Sequence, residues 1–167
     1  MRRARVDTVL LSGRAVTHSE RGSAMVEFAV SATTLLSLMF GIIAICTGLY
    51  SYHFISDAAR EGTRYAMVRG SGCSSYGKLT TNCPIATSAA VQTYVQGLSF
   101  PGIKSSNMTV TTTWSGNGTT WTSTPGTNND PGDQVKVVVS YQFPLHIPFM
   151  PARTLTMTST SQMVIAD

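Results

Sequence analysis

The feature that most constrains this chain is a stretch of 23 consecutive residues without a charged side chain, from Phe28 to Tyr50. At about 1.5 Å per residue, it makes a helix of about 35 Å, enough to cross a hydrocarbon core of about 30 Å. The apolar region of a secretory signal is usually shorter, about 7–15 residues, and no convincing cleavage site follows Tyr50. We therefore predict a retained membrane anchor, with a removed signal peptide as the alternative.

The charge balance does not point to nucleic acid. Charged residues form only 12% of the chain, about half of their share in an ordinary soluble domain. Five of the basic residues behind the net charge of +4 are arginines within residues 1–22. A nucleic-acid binder would carry basic residues clustered on one face with aromatic residues between them, which residues 71–167 do not show. We predict no nucleic-acid partner.

The orientation of the anchor is not decided by the positive-inside rule. Two arginines lie within about 20 residues before the uncharged stretch and three after it, and the rule counts such near-membrane charges. The short tail before the stretch favours a cytoplasmic N-terminus. Cys73 and Cys83 lie ten positions apart in a Gly/Ser-rich segment, a spacing that suits a disulfide loop in an oxidising compartment. Two free thiols are the alternative.

A single acidic residue lies at the N-terminal end of the predicted span. It is Glu27, at the end of the sequence Arg-Gly-Ser-Ala-Met-Val-Glu-Phe that runs from Arg21 to Phe28. A carboxylate is costly inside a bilayer, although less so near the end of a helix. The simplest interpretation places Glu27 among lipid headgroups near a helix N-terminus, where the helix dipole favours a negative charge.

Gly22 is followed by four residues, then by Glu27 and Phe28, and then by an apolar helix. This pattern resembles the processing site of type IV prepilins. The whole segment 21–70 resembles the TadE family of pseudopilin-like proteins, most specifically in RGSAMVEFA and in DAAREGTRYA. A weaker similarity lies near the C-terminus, in VKVVVSYQFPLHIPFMP and LTMTSTSQMV. The resemblance implies that a prepilin peptidase cuts between Gly22 and Ser23. It also implies that Glu27 and Phe28 are the family's glutamate and the aromatic residue after it.

The resemblance further implies a role in assembly. In pilins, such a glutamate is thought to neutralise the new amino terminus of a neighbouring subunit, and the partner of Glu27 can lie in the same chain or in another. Major Flp pilins are far shorter, which favours a minor or assembly-associated component of a Tad (Flp) pilus in the bacterial inner membrane. The implied partners are other pilins and pseudopilins, the Tad inner-membrane platform, the prepilin peptidase and membrane lipid.

The chain is predicted to divide into a leader at 1–22, a helix at 23–70 with its span at 28–50, and an extracytoplasmic head at 71–167. Small and apolar residues recur at helical spacing from Tyr52 to Ala66, which predicts a face that packs on the head. Two oppositely charged i,i+3 pairs fall within Asp57–Arg64 and indicate a solvated face.

The head is predicted to be α+β, with one helix on a three- or four-stranded antiparallel sheet. The pattern of residues 85–98 predicts an amphipathic helix. Alternation predicts strands at 108–114, 134–143 and 153–165, with a bulge in the last strand. A further short strand is possible at 119–123, within a long hairpin loop.

No catalytic or metal-binding set is visible. The three histidines, His18, His53 and His146, lack metal-ligand spacing, and no hydrolase, zinc-protease or phosphate-loop motif occurs. Asp130 and Asp133 flank a Pro-Gly turn and offer too few oxygen ligands to favour calcium. We predict no enzymatic activity and no cofactor. A single-pass envelope-anchored binding domain unrelated to pili is the alternative function.

Two apolar features are candidate contact surfaces. Trp121 lies in the predicted hairpin loop and is a candidate contact for a partner subunit, since tryptophan is favoured at interface hot spots. The apolar corner 143–150, which holds two prolines, is either an exposed patch or the closure of the head's core. Trp114 is predicted to pack in that core.

Overall fold

A computed structural model of the chain describes residues 19–74, 83–98, 101–126, 128–145 and 151–166. These residues form two α-helices, α1 (Ser19–Met67) and α2 (Ser88–Gly97), and three β-strands, β1 (Met108–Ser115), β2 (Gln134–Leu145) and β3 (Arg153–Val164). Short 3-10 turns occur at Ser71–Ser74 and Ser105–Asn107. The chain divides into two compact units, Met1–Met39 and Phe40–Asp167. The predicted α+β class is confirmed, with three strands in the described part.

Helix α1 contains no proline, and several of its threonine hydroxyls form hydrogen bonds within the helix. The hydroxyls of Thr33, Thr34 and Thr47 each donate to the carbonyl four residues earlier, at 2.7, 2.9 and 3.0 Å. Such bonds let threonine lie in an apolar helix without water. The helix begins at Ser19 rather than near Ser23 as predicted, because Gly22 alone does not interrupt it.

Helix α1 ends at a close approach between backbones. A Cβ at Gly70 would lie 2.6 Å from Cγ2 of Ile165 and 3.0 Å from the carbonyl oxygen of Asn129. Only glycine fits here without displacing the segment that follows β3. The next helix, α2, is shorter than predicted, and it begins after Thr87, whose Oγ1 accepts from the N–H of Ala90 at 3.2 Å.

The three strands form one antiparallel sheet in the order β1-β2-β3. The β2–β3 pairing runs without interruption from Gln134↔Val164 to Leu145↔Arg153. The bulge predicted in β3 is therefore wrong. The predicted short strand at 119–123 is reduced to one bridge, Trp114↔Thr122. The N–H groups of Thr119 and Thr120 donate instead to Oδ1 of Asn117, at 2.9 and 3.0 Å, so they are not free for a ladder.

The core of the unit Phe40–Asp167 is built on one face of the sheet. Even-numbered residues of β1 and odd-numbered residues of β2 point to this face, and α1 and α2 cover it. Trp114 is fully buried, as predicted. The buried apolar residues are Phe54, Ile55, Ala58, Ala59, Ala66, Ala86, Val91, Val95, Met108, Val110, Trp114, Val135, Val137, Val139, Tyr141 and Ile165.

Candidate functional site

The predicted processing and assembly residues lie together on the first turns of α1. Gly22, Ser23 and Glu27 share one strip of the helix with Val26 and Val30. Among the described residues, a Cβ added at Gly22 would meet nothing within 4 Å, and Gly22 is exposed.

Glu27 is the only charged residue between Gly22 and Tyr50. Its side chain is exposed on the strip and lies one helical turn after Ser23. In the described part of the chain, the side-chain ion pairs are Asp57–Arg60 at 3.8 Å and Glu61–Arg64 at 3.5 Å. Both were predicted from their spacing. Glu27 belongs to neither of these two pairs.

The apolar side chains that follow Glu27 are exposed. Phe28 is 75% exposed, and the other large exposed residues of this segment include Val30, Leu35, Leu36, Leu38, Ile42, Ile43 and Ile45. The helix from Gly22 to Met67 is long and apolar enough to cross a membrane, and its most apolar window has none of its residues buried. A water-facing helix of this composition would be strongly unfavourable, so these properties fit a single-pass anchor.

The comparison with known families bears on this same segment. A family model described as TadE-like protein matches residues 22–64. Residues 22–64 are TadE-like. The TadE-like segment begins at the predicted cleavage glycine, contains the whole exposed apolar stretch and ends inside the part of α1 that packs in the core. It covers about a quarter of the chain.

The resemblance inferred from the sequence is thus confirmed for this segment. A TadE-like match indicates a protein associated with the Tad pilus that carries an N-terminal membrane-spanning helix. TadE-like proteins are structural pilus components and are not known as enzymes. No curated protein and no solved structure gives a significant match to the chain.

Cys73 and Cys83 form a disulfide bond, as predicted, with their Cα atoms 5.9 Å apart. The bond links the turn that follows α1 to the segment that leads into α2. The hydroxyl of Ser71 also donates to the carboxylate of Asp130 close by. The remaining cysteine, Cys46, lies exposed within the apolar stretch of α1.

An apolar cleft lies between α1 and the ends of β2 and β3, with a volume of about 560 Å³. Helix α1 contributes Gly41, Ala44, Ile45, Gly48, Leu49 and Tyr52 to it, and the strands contribute Phe143, Leu145, Leu155 and Met157. The sequence marked part of this region as an apolar corner at 143–150, of which residues 146–150 lie outside the described part. It did not indicate that the corner faces the small residues of the span.

The remaining polar candidates form no site. Among the described residues, no group of three or more His, Cys, Asp or Glu side chains lies together to hold a metal. His18 and His146 lie outside those residues. The ammonium of Lys136 lies 3.9 Å from the centroid of the Trp121 ring, so a cation of the same chain covers one face of that candidate contact.

Proposed function

We propose that the chain is a minor pseudopilin of a Tad (Flp) pilus, anchored by α1 in the bacterial inner membrane. A prepilin peptidase removes residues 1–22 on the cytoplasmic side. The mature chain then acts through helix packing and subunit contacts rather than through catalysis. Its partners are other pilins and pseudopilins and the Tad inner-membrane platform.

The observation that carries this proposal is the coincidence of three features at one end of α1. The TadE-like match begins at Gly22, Gly22 is exposed on the first turns of α1, and the uncharged stretch that follows is preceded by Glu27 as the single charge after Gly22. An envelope anchor of another kind needs the apolar helix but neither the glycine nor the glutamate.

The position of Gly22 also suits proteolysis. A peptidase binds its substrate in extended form, so the first turn of α1 must open before the bond is cut. The first four N–H groups of a helix have no intrahelical partner, and glycine lowers helix stability by about 1 kcal/mol relative to alanine. The bond after Gly22 therefore lies where opening the helix costs least.

Cleavage would create a positive charge one turn from Glu27. Hydrolysis of the Gly22–Ser23 bond leaves a free amino group on Ser23, which is protonated at neutral pH. Glu27 can accept from this group in its own chain or from the amino group of a neighbouring subunit. In either case the new amino group and the Glu27 carboxylate cancel in charge, which favours the position of the helix end at the edge of the hydrocarbon layer.

The disulfide supports an extracytoplasmic head. Disulfide bonds persist in the periplasm and at cell surfaces and are rare in the cytoplasm. Cys73 and Cys83 follow the span, so their bond favours a cytoplasmic N-terminus. This orientation places Gly22 on the side where the proposed cleavage occurs.

Mass spectrometry of the intact chain from cells with an active prepilin peptidase tests the proposal. We expect a mature chain that begins at Ser23 and an uncut chain for Gly22→Ala. Gly41→Ala is the matched control, because it makes the same exchange in the same helix and its Cβ also meets nothing within 4 Å; it should be cut normally. A wild-type chain that keeps residues 1–22 would support the alternative of an anchored binding domain unrelated to pili.

A further inference from the structure

We propose that acyl chains of the surrounding bilayer fill the apolar cleft between α1 and the ends of β2 and β3. The cleft-side end of the sheet then lies within the extracytoplasmic half of the membrane and sets the depth of the head. This inference rests on the membrane span of the proposed function, and it adds the sheet to the part of the molecule that contacts lipid.

The cleft is positioned at the depth of the span. Five of its six residues from α1 fall within the uncharged stretch that ends at Tyr50. Tyr50 and Tyr52 are 46% and 49% exposed, and tyrosines of this kind mark the interface between membrane and water. Gly41 lies nine residues before Tyr50, about 14 Å deeper along the helix. A cleft that runs from Tyr52 to Gly41 therefore extends from the interface into the hydrocarbon layer.

The end of the sheet has an apolar side, which faces α1, and a polar side, as a position at the membrane surface requires. Phe143, Leu145 and Leu155 lie on the side that faces α1, and Leu155 is 52% exposed. The opposite side carries polar residues at Gln142, Thr154 and Thr156. Arg153, paired with Leu145, is the one charged residue of this end, and the apolar stem of its side chain can lie in apolar surroundings.

Lipid fits this cleft better than a second helix does. Gly41, Ala44 and Gly48 form a row of small residues that would otherwise suit close packing of helices. However, β3 already lies against the row at Gly48, since a Cβ there would lie 3.7 Å from Cε of Met157. A helix about 10 Å in diameter needs an open face for such contact, whereas a flexible acyl chain can enter a covered one. Ile45 and Leu49 line the cleft and are also 65% and 57% exposed, so lipid around this part of the span would reach the cleft.

Spin labels on the full-length chain in vesicles of phosphatidylethanolamine and phosphatidylglycerol test this inference. Leu155→Cys and Val164→Cys, each with Cys46→Ser, place labels on β3 at residues that are 52% and 53% exposed. Cys46 of the otherwise unchanged chain gives the reference inside the span, because Cys73 and Cys83 are bonded. Collisions with oxygen report lipid, and collisions with a water-soluble nickel chelate report water.

We expect the oxygen-to-nickel collision ratio at position 155 to approach that at Cys46 and to exceed that at position 164 several-fold. A ratio at 155 equal to that at 164, with Cys46 still in lipid, would overturn the inference and leave the anchor intact. A label at 155 protected from both reagents would also overturn it, because protein would then cover the cleft. A water-exposed Cys46 would remove the span itself and with it the proposed function.

Discussion

A Cβ added to Gly62 would lie 2.7 Å from Cγ2 of Val95, closer than side-chain carbons approach in real structures. The same atom would lie 3.3 Å from Cγ1 of Val137 on β2. Gly62 therefore marks the point where α1, α2 and the sheet meet most closely. The fold requires glycine at this position because a side chain would clash with Val95 and Val137. Both valines are fully buried, so they cannot move aside.

Gly62→Ala should destabilise the head. Overpacking a core costs about 1–3 kcal/mol, and the better helix propensity of alanine returns at most about 1 kcal/mol. With the full gain from helix propensity, we expect a net loss of up to about 2 kcal/mol in the free energy of unfolding. Urea unfolding of the full chain in detergent micelles, followed by the fluorescence of buried Trp114, measures it. Gly97→Ala, whose Cβ meets nothing within 4 Å, should be neutral or stabilising; an equal loss there would contradict this explanation.

Ile55→Ala should lower the free energy of unfolding far more than the same exchange at an exposed isoleucine of the head. Ile55 is fully buried against the sheet, and exchanges of buried isoleucine for alanine cost about 2–5 kcal/mol. Ile85 is 45% exposed in the same unit, so Ile85→Ala should cost much less. The same unfolding measurement compares the two variants. Similar losses for both would mean that residues beyond Tyr50 do not form part of the core.

Removal of the disulfide should lower stability without abolishing the fold. Closing a loop of this length contributes about 2.7 kcal/mol in the chain-entropy model, so Cys73→Ser with Cys83→Ser should lower the free energy of unfolding by about 2–3 kcal/mol. Alkylation without reductant should modify Cys46 alone in the wild-type chain. Three modified cysteines would show that both thiols are free, and Cys46→Ser serves as the control for stability.

Glu27→Gln should separate processing from assembly. The variant keeps Gly22 and should be cut normally, but it cannot accept a charged hydrogen bond from an amino terminus. Such a bond contributes about 1.5–3 kcal/mol, so the amount of chain crosslinked to other pilin-like subunits should fall at least tenfold. Glu61→Gln is the control, because Glu61 pairs with Arg64 of its own helix. Normal crosslinking of the Glu27 variant would instead favour a carboxylate that faces headgroups.

Most of the secondary structure could be predicted because each element carries its own periodicity. The alternation in β1, β2 and β3 and the small residues from Tyr52 to Ala66 each depend on one element and its buried face. The prediction of a short strand at 119–123 was wrong for a local reason. Residues 119–123 have the composition of a strand, but the side chain of Asn117 binds two of its N–H groups.

The apolar cleft could not be predicted from any single segment. The row Gly41, Ala44 and Gly48 and the strand residues near Phe143 are separated by about 100 positions in the sequence. Their meeting depends on how far the sheet extends along α1, which is a property of tertiary packing. The sequence indicated the apolar corner at 143–150 and left open whether it is exposed or closes the core of the head.

The division into a leader at 1–22, a helix at 23–70 and a head at 71–167 remains a prediction. Helix α1 nevertheless supplies both the exposed apolar stretch and one wall of the core, through residues such as Ile55 and Ala59. A protease that cuts between Ser51 and Met67 would therefore release no intact head, because the fragment would leave part of its own interior behind. The stability of the head therefore depends on a segment continuous with the anchor, and a cut within that segment should unfold the part that it releases.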